Sequence, residues 1–133
     1  MIFGIGVDVT SIERIGRIWR RSGERFAAHV LAPAERAEMA AVNDLPRWLA
    51  KRWAAKESFA KAVGTGMRAP LRWGAIAVAH DELGRPLLQI EPSLREWLVH
   101  RGVDRCHLSL SDEREVVCAM VVLETSGESR VGT

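Results

Sequence analysis

Lys51-Arg52-Trp53-Ala54-Ala55-Lys56-Glu57-Ser58-Phe59-Ala60-Lys61-Ala62-Val63-Gly64-Thr65-Gly66 is the stretch that decides the fold. Good helix formers without an internal proline, running out into Gly-Thr-Gly, predict a long central helix with a glycine exit. A helix turns about 100° per residue, so Glu57 and Lys61 lie on one face, about 40° apart. Ala50 and Ala54 continue that strip and are expected to leave room for a ligand. Trp48, Leu49, Trp53, Phe59 and Val63 form the opposite arc and must pack on the protein. An i,i+4 Glu–Lys pair alone is an ordinary surface contact worth about 0.2–0.5 kcal/mol. Arg52 and Lys56 are less ordinary, because they fall inside the apolar arc, where a cation needs a phosphate, a carboxylate or a partner chain. Glycine after a helix is usually a C-cap, so Gly64, Thr65 and Gly66 gain meaning only from their neighbours.

A chain of 133 residues suits one domain. With 47% hydrophobic and 27% charged residues, it has the balance of a soluble globular protein. No apolar run reaches membrane-span length, and Met1-Ile2-Phe3-Gly4 lacks the basic start of a signal peptide. A cytoplasmic protein is therefore expected, with Cys106 and Cys118 as buried free thiols. A net charge of +2 argues against a general nucleic-acid binder. Of the 19 basic residues 16 are arginine, the side chain suited to bidentate contact with phosphates and carboxylates.

Around the central helix, Ile2 to Val9 reads as a buried strand whose two glycines mark a close approach. Asp8 stands near its end, either as a cap for the next helix, a job Thr10 and Ser11 also suit, or as a ligand. Residues 12–26 have helical spacing, with Ile12, Ile15, Ile18 and Trp19 inward and Arg14, Arg17, Arg20, Arg21 and Arg25 outward. That one-signed face would suit an acidic protein surface. A second helix is expected over 34–42. A hairpin is expected from strands 73–79 and 87–90, then a helix over 94–100 capped by Ser93. Two further strands, 105–110 and 115–123, carry His107 and Ser109 on one face of the first. Residues 125–133 are expected to fray. The fold class is α+β: a single domain, residues 1–124, with a small, mostly antiparallel sheet packed against the long helix and shorter helices.

The chemistry-bearing candidates are Asp8, Glu57, Lys61, the glycine loop and His107. Two carboxylates from different elements beside a lysine suit a magnesium-bound phosphate or pyrophosphate. Magnesium favours one or two carboxylates plus water and phosphate oxygens, and lysine offsets charge on the leaving group.

Three blocks also resemble the holo-acyl-carrier-protein synthase family of 4′-phosphopantetheinyl transferases, over residues 2 to about 124. They are Gly4-Ile5-Gly6-Val7-Asp8 with Arg14-Ile15, then Lys51 to Glu57 with Lys61 to Gly66, then His107-Leu108-Ser109-Leu110-Ser111-Asp112-Glu113. The resemblance implies transfer of the phosphopantetheine arm of coenzyme A to a serine of apo acyl carrier protein, in the service of fatty acid biosynthesis, with release of adenosine 3′,5′-bisphosphate. It implies Asp8 and Glu57 as Mg2+ ligands, with Glu57 taking the serine proton directly or through water. Lys61 would hold a phosphate. Arg52, Gly64, Thr65, Gly66 and His107 would line the coenzyme A site, and Arg14, Arg21 and Arg25 would meet the acidic carrier. It also implies a homotrimer with active sites between protomers. The chain departs from the family in having Asp112 where many relatives have a second histidine, Trp53 where phenylalanine is usual, and no tyrosine.

Two other readings use the same residues. A non-catalytic carrier-protein or nucleotide-binding module would keep the pocket but would not need two carboxylates facing a polyphosphate. A magnesium-dependent nucleotide pyrophosphohydrolase usually needs more carboxylates close together than Glu57 has on its helix.

Overall fold

Four short polar or glycine signals partition the first half of the chain in a computed structural model, which describes residues 1–126. Strand β1 (Ile2–Ser11) ends at Ser11, whose hydroxyl accepts the Arg14 N–H at 3.1 Å and caps helix α1 (Ile12–Ser22). Asp8 is therefore not the cap. The helix expected over 12–26 breaks at Gly23, where φ is +44° and the N–H returns to the Trp19 carbonyl. Helix α2 (Glu24–Val30) starts afresh from there. Pro33 opens α3 (Pro33–Glu38), and a single 3-10 turn (Met39–Ala41) replaces the last residues of the expected second helix. Asp44 accepts the Arg47 N–H and caps the central helix α4 (Leu45–Val63), which Gly64 closes at φ +95°.

The second half follows the expected hairpin with small shifts. Residues 73–75 form a 3-10 turn before β2 (Ile76–His80), which pairs antiparallel with β3 (Pro86–Ile90). Helix α5 (Pro92–His100) starts earlier than expected and is entered through Glu91. Ser93 is not its cap, because its hydroxyl donates to the Glu91 carboxylate at 2.8 Å. Strands β4 (Arg105–Asp112) and β5 (Val116–Glu124) complete a three-stranded antiparallel sheet of order β1-β5-β4. Thr125, expected in the frayed tail, is buried and exchanges backbone hydrogen bonds with Met1, while the Ser126 N–H is held by Asp104. The rest of the expected tail, 127–133, lies outside the described residues.

Helix α4 crosses the inner face of this sheet, and its small residues allow the approach. Ala50 and Ala54 are fully buried among Ile15, Phe26, Val117 and Ala119. The strip they were expected to keep open for a ligand is instead filled by α1, α2 and β5. Gly4 and Gly6 do the same from β1, since a Cβ on either would overlap the Ala62 or Ser58 carbonyl oxygen of α4. Both obstacles are backbone, so neither can swing aside. Gly6→Ala is expected to cost about 3 kcal/mol or more, at the upper end for overpacking. Chemical denaturation checks this, and a loss under about 1 kcal/mol would mean that strand and helix can separate cheaply.

The expected burial of β1 holds on one face only. Gly6 and Thr10 face α4, but Ile5, Val7 and Val9 are 62, 54 and 64% exposed. Met120, across from Val7 on β5, joins them, leaving an apolar outer sheet face that no other element of the chain covers among the described residues.

Candidate functional site

The inward alternation of β1 places Asp8 against the last turns of α4, where Lys61 waits. Lys61 Nζ stands 3.2 Å from Asp8 Oδ1 and donates to the Val7 carbonyl at 3.0 Å. The Thr10 hydroxyl donates to Asp8 Oδ2 at 2.5 Å, so both oxygens of this carboxylate are oriented. Glu57, one turn before Lys61, is half-buried, and its carboxylate makes no hydrogen bond among the described residues. Burial pushes its pKa up, the Asp8 charge adds to that, and Lys61 and Arg14 oppose it. The two carboxylates thus feel each other across the gap between strand and helix.

This pair fits a hard divalent cation. It supplies carboxylate oxygens from two elements, one set in place by Thr10 and one without a partner. No group of three or more His, Cys, Asp or Glu side chains gathers among the described residues. Magnesium here would take its remaining positions from water and phosphate oxygens.

Helix α1 brings Arg14 to the same corner. Its guanidinium lies 5.7 Å from the Trp53 ring centroid, and Trp53 is stacked 4.5 Å from Trp73 and 5.9 Å from Phe26. Arg21 and Arg25 are exposed farther along α1 and α2, with Arg17 and Arg20 between. Gly64 and Gly66 both have positive φ and open space where a side chain would be. They end the helix and leave the backbone beside Lys61 uncovered, while Thr65 Oγ1 donates to the Gly66 carbonyl at 2.9 Å.

Arg52 and Lys56 go elsewhere. Lys56 is fully buried and spends its three protons on Glu35 Oε1 at 2.6 Å, the Val30 carbonyl at 2.6 Å and the Trp73 carbonyl at 3.1 Å. Glu35 also accepts the Ala32 and Val78 N–H groups. The carboxylate that the apolar arc demanded therefore comes from within the chain. Sequence reasoning missed Glu35, which sits in the first turn after Pro33 and reads there as an exposed helix-start acid. Arg52 lies 3.8 Å from both Glu35 and Glu38, stacked 4.0 Å over Trp48, and its Nε has no hydrogen-bond partner. Its guanidinium points away from Glu57.

Arg52 forms part of the wall of a cavity of about 620 Å³, with Arg47, Trp48, Lys51, His80 and Pro86. That space lies around the helix from the carboxylate pair, so size alone would misplace the chemistry. Asp112 borders it and holds Arg47 at 2.7 Å and Lys51 at 3.5 Å. Arg47 also donates to the Glu113 and Arg114 carbonyls, tying the β4–β5 turn to the start of α4.

His107 is not brought to Asp8, Glu57 and Lys61 within one chain. It sits on the outer sheet face, 57% exposed, with Nε2 2.6 Å from Glu124, whose carboxyl this bond holds below the usual range. Cys106 and Cys118 are free, though only half-buried rather than buried, and desolvation pushes the Cys106 thiol up to about 12. No helix among the described residues is long and apolar enough to cross a membrane.

A long helix laid across an antiparallel sheet makes this a small α+β protein, and a carboxylate from each with a lysine beside them is an arrangement that suits phosphoryl-type chemistry. The sequence model of the 4′-phosphopantetheinyl transferase superfamily matches residues 4–121, and the chain belongs to that family. Holo-[acyl-carrier-protein] synthase of Laribacter hongkongensis is 52% identical over 124 residues, covering 93% of this chain and 99% of the relative. The crystal structure of holo-[acyl-carrier-protein] synthase from Neisseria meningitidis superimposes with a TM-score of 0.91 at 45% identity, covering 94% of this chain and all of that one. The Bacillus anthracis enzyme in complex with CoA (3′,5′-ADP) gives 0.80 at 33% identity, over 95% of this chain and 99% of the other.

Proposed function

We propose that this chain moves the 4′-phosphopantetheine arm of coenzyme A onto a serine of apo acyl carrier protein, releasing adenosine 3′,5′-bisphosphate. The observation that carries the reading is the meeting of Asp8, Glu57 and Lys61 at the contact of β1 with α4. The relatives' shared activity and the coenzyme A bound to the Bacillus anthracis protein support it.

In this reaction the serine Oγ forms a bond to the phosphorus that carries the pantetheine arm, and the anhydride P–O bond to the nucleotide phosphate breaks. Glu57, unbonded and raised in pKa, takes the serine proton directly or through one water. Asp8 is held in place by Thr10 and Lys61. Lys61 is exposed enough to follow a phosphate and offsets charge as the nucleotide leaves. Magnesium held by Asp8 and Glu57 would polarise the pyrophosphate and neutralise its charge.

The other ligand contacts follow from the surroundings. The open backbone at Gly64, Thr65 and Gly66 suits the pyrophosphate, and the arginine-bearing ridge of α1 and α2, with Arg14, Arg21 and Arg25, suits an acidic carrier. His107 can join such a site only across a subunit boundary. We therefore place each active site between protomers of a homotrimer whose contacts use the exposed Ile5, Val7, Val9 and Met120 face. The free thiols suit a reducing, cytoplasmic setting.

The test mixes protein, coenzyme A, magnesium and apo acyl carrier protein and weighs the carrier. A gain matching phosphopantetheine is expected. Coenzyme A consumed without that gain would make the chain a hydrolase, and neither change would make it a binding module.

A further inference from the structure

Each carboxylate of the pair meets a cation supplied by the chain itself. Lys61 takes Asp8 at 3.2 Å. On the other side, Arg14 rests over Trp53, which does not belong to the arc opposite Glu57 as its apolar character suggested but precedes Glu57 by one turn, about 40° away around α4. The ring is fixed between Phe26 and Trp73, so the guanidinium has a firm seat at the edge of the pair. Yet Arg14 is exposed, and its side chain forms no salt bridge among the described residues. Its positive charge counters the burial and the Asp8 charge that Glu57 feels. Arg14 is thus near enough to favour an anionic Glu57 but not bonded to it.

Its neighbours say what could move it. Exposed Arg17, Arg21 and Arg25 outnumber the exposed Glu13 and Glu24 on α1 and α2 and leave this surface net positive, which attracts an acidic protein and orients it on approach. A carboxylate of such a partner that paired with Arg14 would remove a like charge from the place where a divalent cation must bind. Two events that each relieve the other's repulsion are coupled, and the coupling is equal in both directions.

Resting on the transferase reading, we propose that Arg14 is a displaceable counter-ion of the Asp8–Glu57 pair, so that docking of an acidic carrier on α1 and binding of a divalent cation between β1 and α4 strengthen each other. In the metal-free protein Arg14 partly occupies the electrostatic role of the metal. The carrier draws it aside, and the cation then binds a more negative site. Metal and carrier would thereby assemble together, with coenzyme A left idle until both are present.

Calorimetric titration of Mg2+ in the absence of coenzyme A reads this without turnover. Arg14→Gln is expected to bind Mg2+ roughly 3- to 10-fold more tightly than wild type, the size of one unit charge acting on a divalent ion across a partly screened gap. Arg17→Gln, which removes an equal charge farther from Glu57, should change it little. Saturating apo acyl carrier protein should tighten Mg2+ binding in wild type by a similar factor and much less in Arg14→Gln, with saturation checked by a separate titration of each variant. Unchanged or weaker Mg2+ binding by Arg14→Gln without carrier overturns the proposal, as does equal tightening by carrier in both proteins. A chain that modifies the carrier yet shows no such coupling loses only this inference, whereas failure of the carrier-mass test removes the reading beneath it.

Discussion

Glu57→Gln is expected to lose carrier modification by at least about a hundredfold, in the range for removing a general base, while the metal-free variant melts above wild type. The two outcomes have one cause. Burial and the Asp8 charge make an ionised Glu57 costly, so its folded-state pKa lies above the unfolded value. For an acid shifted upward, the stability contribution is complete below the unfolded pKa and is lost as pH rises through the folded one. Wild type should therefore fall behind the glutamine variant as pH climbs through the window between those two values, and the gap should be constant above it. Magnesium should narrow that gap, because only the intact pair gains from it. Asp8→Asn should lose turnover likewise. Melting curves across pH with single-turnover assays check both halves. Near-normal transfer by either variant would remove the assigned roles, and a glutamine variant no more stable than wild type would show that Glu57 is not strained.

Lys56→Met is expected to cost about 3–5 kcal/mol, the usual size when one partner of a buried ion pair is deleted. Fully buried, the Lys56 ammonium is pulled down in pKa by desolvation and held charged by Glu35. Deleting it leaves the buried Glu35 carboxylate with only Arg52, at 3.8 Å, as a cation, and takes a donor from the Val30 and Trp73 carbonyls, the second of which keeps the Ile76 N–H. These groups belong to the end of α2, the start of α3 and the turn before β2, so the damage spreads well beyond α4. Adding Glu35→Gln should recover part of the loss, since it removes the buried charge, although the single amide oxygen can accept from only one of the Ala32 and Val78 N–H groups that the two carboxylate oxygens hold. Denaturant midpoints for the two singles and the double measure this coupling. A loss under about 1 kcal/mol for Lys56→Met would mean that water reaches the site.

Much of this was legible along the chain. The period of residues 45–63, the glycine exit and the alternating strands follow from local rules of helix and strand geometry, and the structure keeps all three. The arginine face of α1 is likewise a matter of spacing. Where local rules misled, the fault was in assigning a neighbour. Spacing shows that Arg52 and Lys56 need a phosphate, a carboxylate or a partner chain but not which, and the answering carboxylate is Glu35, on a short helix about twenty residues earlier. Ala50 and Ala54 suggest a vacancy by their size, but small residues serve equally to admit a helix or a sheet. The break at Gly23 was missed because the apolar spacing runs on past it.

From its residues alone the chain determined the helix that carries Glu57 and Lys61, the strand that ends near Asp8, and the kind of chemistry that two acids and a lysine suit. Tertiary structure alone decided that these three share a corner, that Thr10 and Lys61 orient Asp8, that Arg14 stands over Trp53 beside Glu57, and that His107 faces the other way. The reason is physical. Periodicity states which face a side chain occupies on its own element, but which faces meet depends on how closely backbones approach, and here Gly4 and Gly6 against Ala62 and Ser58 set that distance.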